Sequence, residues 1–235
     1  MVKILHLFND LMNLYGENGN MKMLQMRLKM GGIAAEIETK MPDNLSDYDV
    51  IYIGSGTERS LYAACESLKP LAGRLAERIA NGAVILLTGN SLEMFGKRIV
   101  LNNGRVLDGL GLLELETKEN FEQPVTSDCV FDCDLFDEKV VGFINKSTEL
   151  SVAEKPLFSV DFGIGNNRND KFEGVLRENL FATHLIGPVM AKNPAFLETI
   201  TKRILANKGV AYEEVFLGNA RKAHEVTLQA LLNGR

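Results

Sequence analysis

Apolar positions along this chain follow two rhythms. Short continuous runs at Lys3–Phe8, at Ile33–Thr39, within SDYDVIYIGSG (residues 46–56) and at Val84–Leu87 have the length of buried β-strands. Between them the apolar residues return every three or four positions. Met21, Leu24 and Leu28 predict a helix over 17–31 that stops at Gly31–Gly32. Leu61, Cys65, Leu68, Ala72, Leu75 and Ile79 share one helical face and predict a single helix ending at Asn81–Gly82. Strands alternating with helices predict a parallel sheet with right-handed crossovers.

The rhythm changes after Gly96. Glu114–Thr117, Val130–Cys133, Lys139–Ile144, Leu157–Asp161, Gly174–Arg177 and Leu180–His184 read as short strands separated by turns. They are expected as antiparallel additions at one side of the parallel sheet. Helices near 194–206 and 212–232 close the chain, with Pro194 in the first turn of the former. Neither an internal repeat nor a Pro/Ser-rich linker divides the sequence, so residues 1–235 are expected to form one domain.

Composition narrows the function. Lys and Arg total 26 against 31 Asp and Glu, a net charge of -5, and no basic block offers itself to nucleic-acid phosphates. The apolar runs are too short for a membrane span, and Asp10 follows the first of them without a small-residue cleavage site. Three cysteines, an odd count, do not suggest a disulfide framework, and a cytoplasmic location is expected. Cys129 and Cys133 lack neighbouring histidines and read as strand residues, not as metal ligands. The expectation is therefore of no metal and no cofactor.

Candidate chemistry gathers in loops that follow strands, where open α/β sheets bind ligands. These are GSGTER (54–59), TGNS (88–91), where a helix is expected to begin with Ser91 as its cap or in its first turn, and HLIGP (184–188). None has the phosphate-binding pattern GxxxxGK[ST]. GIGNNRND (163–170) adds a polar turn. His184 sits in an apolar, strand-like run and is expected to be buried.

Taken together, DLMNLYGENGN (10–20), IYIGSGTERS (51–60), LLTGNSLEMFG (86–96), GLGLLELET (109–117), GFINKST (142–148), GIGNNRNDKFEG (163–174) and THLIGPVMAKNP (183–194) resemble the CobB/CobQ-type class I glutamine amidotransferases. Among these, the resemblance is strongest to glutaminase-like subunits of lipid II isoglutaminyl synthase. It implies a flavodoxin-like, three-layer α/β fold with a mostly parallel central sheet and antiparallel additions. Active members carry a cysteine nucleophile in a segment like ICGGYQLLG; laid on TGNSLEMFG, it falls on Gly89. Their histidine, in a segment like TYLHGP, falls on Ile186. Lys146 takes the histidine position of a GFENH-like segment, and Glu93 stands where glutamine is frequent.

Hydrolysis by this route needs a thiolate and a base, and neither Gly89 nor Ile186 supplies one. The resemblance then implies a non-hydrolytic docking or regulatory subunit for a Mur-ligase-like, amide-forming partner in cell-wall precursor modification. One alternative is a hydrolase relocated to Ser91 and His184; in that reading a strand period of two sets His184 on the face of Ile186. Another is a sensor of a glutamine-like small ligand. The Gly54-Ser55-Gly56 loop would offer oxyanion-type N–H donors. Glu58, Arg59, Asn90 and Asn145 are the further candidates to line the pocket.

Overall fold

A computed structural model describes residues 1–234. The chain opens with β1 (Val2–Leu7), α1 (Asn18–Met30), β2 (Ala35–Glu38), β3 (Val50–Ile53), α2 (Glu58–Leu68), α3 (Ala72–Ala80) and β4 (Val84–Thr88). It continues through β5 (Arg98–Val100), β6 (Val106–Asp108), β7 (Leu115–Glu119), β8 (Val125–Cys133), β9 (Phe136–Lys146), β10 (Thr148–Val152) and β11 (Phe158–Phe162). The last elements are β12 (Phe172–Glu173), β13 (Val175–Arg177), β14 (Leu180–Thr183), α4 (Val189–Lys192), α5 (Pro194–Asn207) and α6 (Gly218–Asn233).

The central sheet has the order β13-β14-β4-β3-β1-β2 and is parallel except for β13 at its edge. Its middle strands are apolar on both faces because both faces are covered. Val2, Ile4, Val50, Tyr52, Val84 and Leu86 pack with residues of α1, α5, β8 and β9. The alternate positions Leu5, Leu7, Ile51, Ile53, Ile85 and Leu87 pack against α2, α3 and the segment after β4. The outcome is a three-layer α/β structure.

Four expectations need correcting. The helix expected from Leu61 to Ile79 is two helices, broken by a 3-10 turn at Lys69–Leu71. Pro70 lacks the N–H an α-helix needs there and crowds the preceding turn, yet the apolar spacing continues across the break. Of the strands expected as antiparallel additions, β13 and β14 join the central sheet, and β14 does so parallel to β4, leaving only β13 antiparallel there. The others form two four-stranded sheets, β10-β7-β5-β6 and β12-β11-β8-β9, and β5 and β7 pair in parallel. The β8–β9 hairpin turns Phe131, Val140 and Ile144 into the core beside Phe158 and Phe196, so its apolar face is buried without extending the central sheet.

The segment after β4 is a 3-10 helix, Gly89–Phe95, where an α-helix was expected. The carbonyls of Met94 and Phe95 accept N–H groups from Leu110, Leu112 and Leu113, so the following loop claims acceptors that a continuing helix would use. Lastly, β14 ends at Thr183, not at His184. The Thr183 hydroxyl accepts the Leu185 N–H at 3.1 Å and turns the chain out of the sheet. A strand period therefore does not relate His184 to Ile186.

Candidate functional site

The site is built where β3, β4 and β14 end. β4 finishes in extended geometry at Thr88, and Gly89 then takes φ +61, the left-handed region that glycine enters without cost. The Gly89 N–H donates to the Leu185 carbonyl at 3.1 Å and fastens this elbow to the loop after β14. A Cβ built on Gly89 would lie inside 3.0 Å of both Cβ and Oγ of Ser55, and 3.0 Å from Cγ2 of Ile186. Positions 55, 89 and 186 thus converge on one small volume.

The loop from β3 reaches that volume as Gly54-Ser55-Gly56, and Thr57 caps α2 by accepting the Ser60 N–H at 3.2 Å. Asn90 clamps the loop. Its Nδ2 donates to the Gly56 carbonyl at 2.9 Å, and its Oδ1 accepts the Gly56 N–H at 3.0 Å and the Ser55 hydroxyl at 3.3 Å. Gly56 was expected to offer an oxyanion-type donor. Its N–H is instead committed to the Asn90 amide.

Beside the elbow lies a cavity of about 300 Å³. Of the residues singled out from the sequence, Ser55, Gly56, Glu58, Gly89, Asn90, Asn145 and His184 line it, and Gly54, Arg59, Ser91 and Ile186 lie off its wall. Arg59 is exposed on α2. Gly54 is packed beneath the loop, against Met12 and Glu17. Ser91 is fully buried, its hydroxyl between the carbonyls of Ile53 and Thr88 at 3.0 and 2.9 Å. Expected as a helix cap or as a partner of His184, it has neither role in this geometry. Asn145 donates to the Tyr15 hydroxyl at 2.9 Å.

His184 lies between two buried carboxylates. Its Nε2 is 3.4 Å from Oε1 of Glu93, and its Nδ1 is 3.6 Å from Oε1 of Glu173. Glu173 also accepts the His184 backbone N–H at 2.6 Å and the Thr183 hydroxyl at 2.7 Å. Glu93 accepts the Thr148 hydroxyl at 2.8 Å. Lys146, on the same wall, donates to the carbonyls of Gly165 and Asn166 at 2.8 and 2.7 Å. Burial pushes its pKa down, against the opposing pull of Glu173 and Glu93. Lys146 therefore anchors the 163–170 loop. Opposite, Tyr62 donates to Glu119, and burial followed by that carboxylate raises its pKa.

A second cluster underlies the first. Glu17 is fully buried and accepts the Gly187 N–H at 2.9 Å, the Thr88 hydroxyl at 2.7 Å and the Tyr52 hydroxyl at 2.8 Å. Burial raises its pKa in spite of these donors and the charge of Lys192. Asn20 adds hydrogen bonds to Tyr52 and from the Met190 N–H, at 2.8 and 3.0 Å. The segment before α1, strands β3 and β4 and the loop after β14 are thereby held in one position.

Reading the residues one by one missed Glu17, Tyr62, Glu119, Thr148 and Glu173. Glu17 had a signal, the polar run ENGN next to an apolar stretch. Tyr62 and Glu119 meet across 57 positions, with no local pattern to announce them. Among the described residues, no group of three or more His, Cys, Asp and Glu side chains is placed to hold a metal ion.

The family model for the CobB/CobQ-like glutamine amidotransferase domain matches residues 3–194. The chain is 31% identical over 219 residues to the Staphylococcus aureus lipid II isoglutaminyl synthase (glutamine-hydrolyzing) subunit GatD, covering 92% of this chain and 89% of that one. The Streptococcus pneumoniae subunit of the same name is 29% identical over 197 residues, covering 82% and 76%. Among solved structures, a glutamine amidotransferase shares the fold with a TM-score of 0.51 at 16% identity, over 88% of this chain and 99% of that one. The glutaminase domain of Trypanosoma brucei CTPS does so with a TM-score of 0.52 at 12% identity, over 91% and 96%. On the family match and its extent, this chain belongs to the CobB/CobQ-like glutamine amidotransferase family.

Proposed function

We propose that this chain is a non-hydrolysing glutamine amidotransferase-like subunit that docks on a Mur-ligase-like, amide-forming partner acting on a cell-wall precursor. One observation carries the reading. Position 89, at the turn after β4, has no side chain, and Ser55 and Ile186 enclose the volume a nucleophile would need. Thioester chemistry requires a thiolate and a proton-carrying base in contact, and glycine beside isoleucine provides neither.

Nothing nearby replaces them. Cys65 is on α2, Cys129 and Cys133 are on β8, and all three are buried. Burial raises each thiol, Cys129 to about 11, away from the thiolate form. Ser91 donates to the backbone carbonyls of Ile53 and Thr88, and the His184 ring lies instead against Glu93 and Glu173. Subunit status in the relatives supports a docking role here. Among the described residues no helix is long and apolar enough to cross a membrane, in keeping with a proposed place in the cytoplasm.

The test is release of glutamate and ammonia from L-glutamine, by the chain alone and with the nearest-encoded Mur-ligase-like protein. No turnover together with a stable complex is the expected result. Turnover that disappears in Ser91→Ala would overturn it in favour of a relocated site. The cavity beside the elbow favours a second reading, a sensor of a glutamine-like ligand. Saturable binding of L-glutamine, with neither turnover nor complex, would select it.

A further inference from the structure

We infer that Ser55 is the residue that bars any side chain from position 89, so that closure of the elbow is a property of two residues and not of Gly89 alone. The inference rests on the non-hydrolysing reading and deepens it. A serine Oγ swings away by rotation about χ1, but its Cβ moves only with the backbone. Here the Cβ itself lies within 3.0 Å of where a side chain on Gly89 would begin.

The backbone of residue 55 has nowhere to go. Its carbonyl accepts the Leu14 N–H at 3.0 Å, and its neighbour Gly56 is held through both N–H and C=O by Asn90. Underneath, a Cβ on Gly54 would strike the Met12 carbonyl and Glu17, and one on Gly56 would strike Met12 and the Leu11 carbonyl. The loop is thus close-packed below and clamped from the side. Ile186 approaches through Cγ2, the end of a rotatable side chain, and is able to give way. Loss of the Ser55 Cβ is the direct release.

The experiment is a double-mutant cycle on the full chain, with Ser55→Gly, Gly89→Cys and the pair, read as thermal midpoints. Gly89→Cys alone is expected to lower the midpoint by roughly 10 °C, from the left-handed backbone and the overpacking together. Ser55→Gly alone is expected to lower it by about 3 °C, the backbone-entropy cost of a new glycine. The pair should lie below Ser55→Gly alone by only about 4 °C, the left-handed-backbone cost that loss of Ser55 does not relieve. Additive midpoints overturn the inference. If Gly89→Cys does not accumulate folded, Gly89→Ala with and without Ser55→Gly gives the same cycle at smaller amplitude.

Iodoacetamide labelling followed by intact mass supplies a second readout, because the three native thiols are buried. In the pair, the introduced thiol should react at least about tenfold faster than they do. A rate no faster than theirs overturns the claim that Ser55 fills that space. Glutamine turnover by the unmodified chain would sink the non-hydrolysing reading and leave the coupling intact. Additive midpoints without turnover would sink only the role of Ser55.

Discussion

Two buried clusters share the carboxyl end of the central sheet, and both hold the loop after β14. Around Glu17 the contacts are polar and saturated: two hydroxyls, the Asn20 amide and one backbone N–H converge on a single carboxylate. Around Gly89 the contacts are steric, among a glycine, a serine Cβ and an isoleucine. The first cluster fixes where the loops stand, and the second decides what stands between them. The polar cluster therefore sets where the loops stand, and the steric cluster, seated on it through Gly54 and Glu17, sets what fits at the elbow.

The largest effect should come from the polar cluster. Glu17→Ala leaves Tyr52, Thr88 and the Gly187 N–H without their buried acceptor, at an expected cost of about 3–5 kcal/mol in urea unfolding. Glu17→Gln, which keeps one oxygen acceptor, should cost distinctly less. Equal losses in the two variants would show that the shared acceptor is not what holds the loops.

Next comes pH. His6 packs against Tyr52 with ring centroids 4.8 Å apart, and burial lowers its pKa from 6.5 to about 4. The folded state keeps the ring neutral, whereas the unfolded chain takes up a proton near 6.5. Stability from this residue is thus complete above pH 6.5 and is lost as the pH falls towards 4, by about 3 kcal/mol in all. Unfolding curves from pH 7 to 4 measure the slope. His6→Leu should flatten it, and an unchanged slope would assign the loss to other groups.

Lys146→Met tests the wall of the cavity. It strands the Gly165 carbonyl, leaves that of Asn166 with the Leu150 N–H alone, and should cost about 1–3 kcal/mol, with faster amide exchange confined to the 163–170 loop. Protection unchanged in that loop would refute an anchoring role. The smallest effect belongs to Ser91→Ala, about 1 kcal/mol for a hydrogen bond to two carbonyls, with glutamate release from L-glutamine still at background.

The same division explains what could be read from the sequence. The parallel strands β1, β3 and β4 announced themselves because burial on both faces makes their apolar runs continuous, whereas the equally buried β14 read as an antiparallel addition. Gly89 and Ile186 were assigned together from motifs alone, and the fold sets them side by side. Features that depend on distant partners were not legible. The helical segment after Gly89 stops where residues 110–113 claim the Met94 and Phe95 carbonyls, and the end of β14 reflects a Thr183 side chain folding back on its own backbone. Lys146, Glu93 and His184 reach the wall of the cavity from separate segments, so it had no local pattern. Pro70 was in plain view, and only the unbroken apolar spacing hid its effect.

The three buried thiols have a consequence for how this chain meets its environment. Electrophilic glutamine mimics and cellular oxidants act on a glutaminase through its exposed thiolate. On the non-hydrolysing reading no such target exists here, and the three cysteine thiols are shielded by the core. Peroxide or alkylating agents at doses that silence a thiol-dependent glutaminase should leave this subunit folded and able to dock.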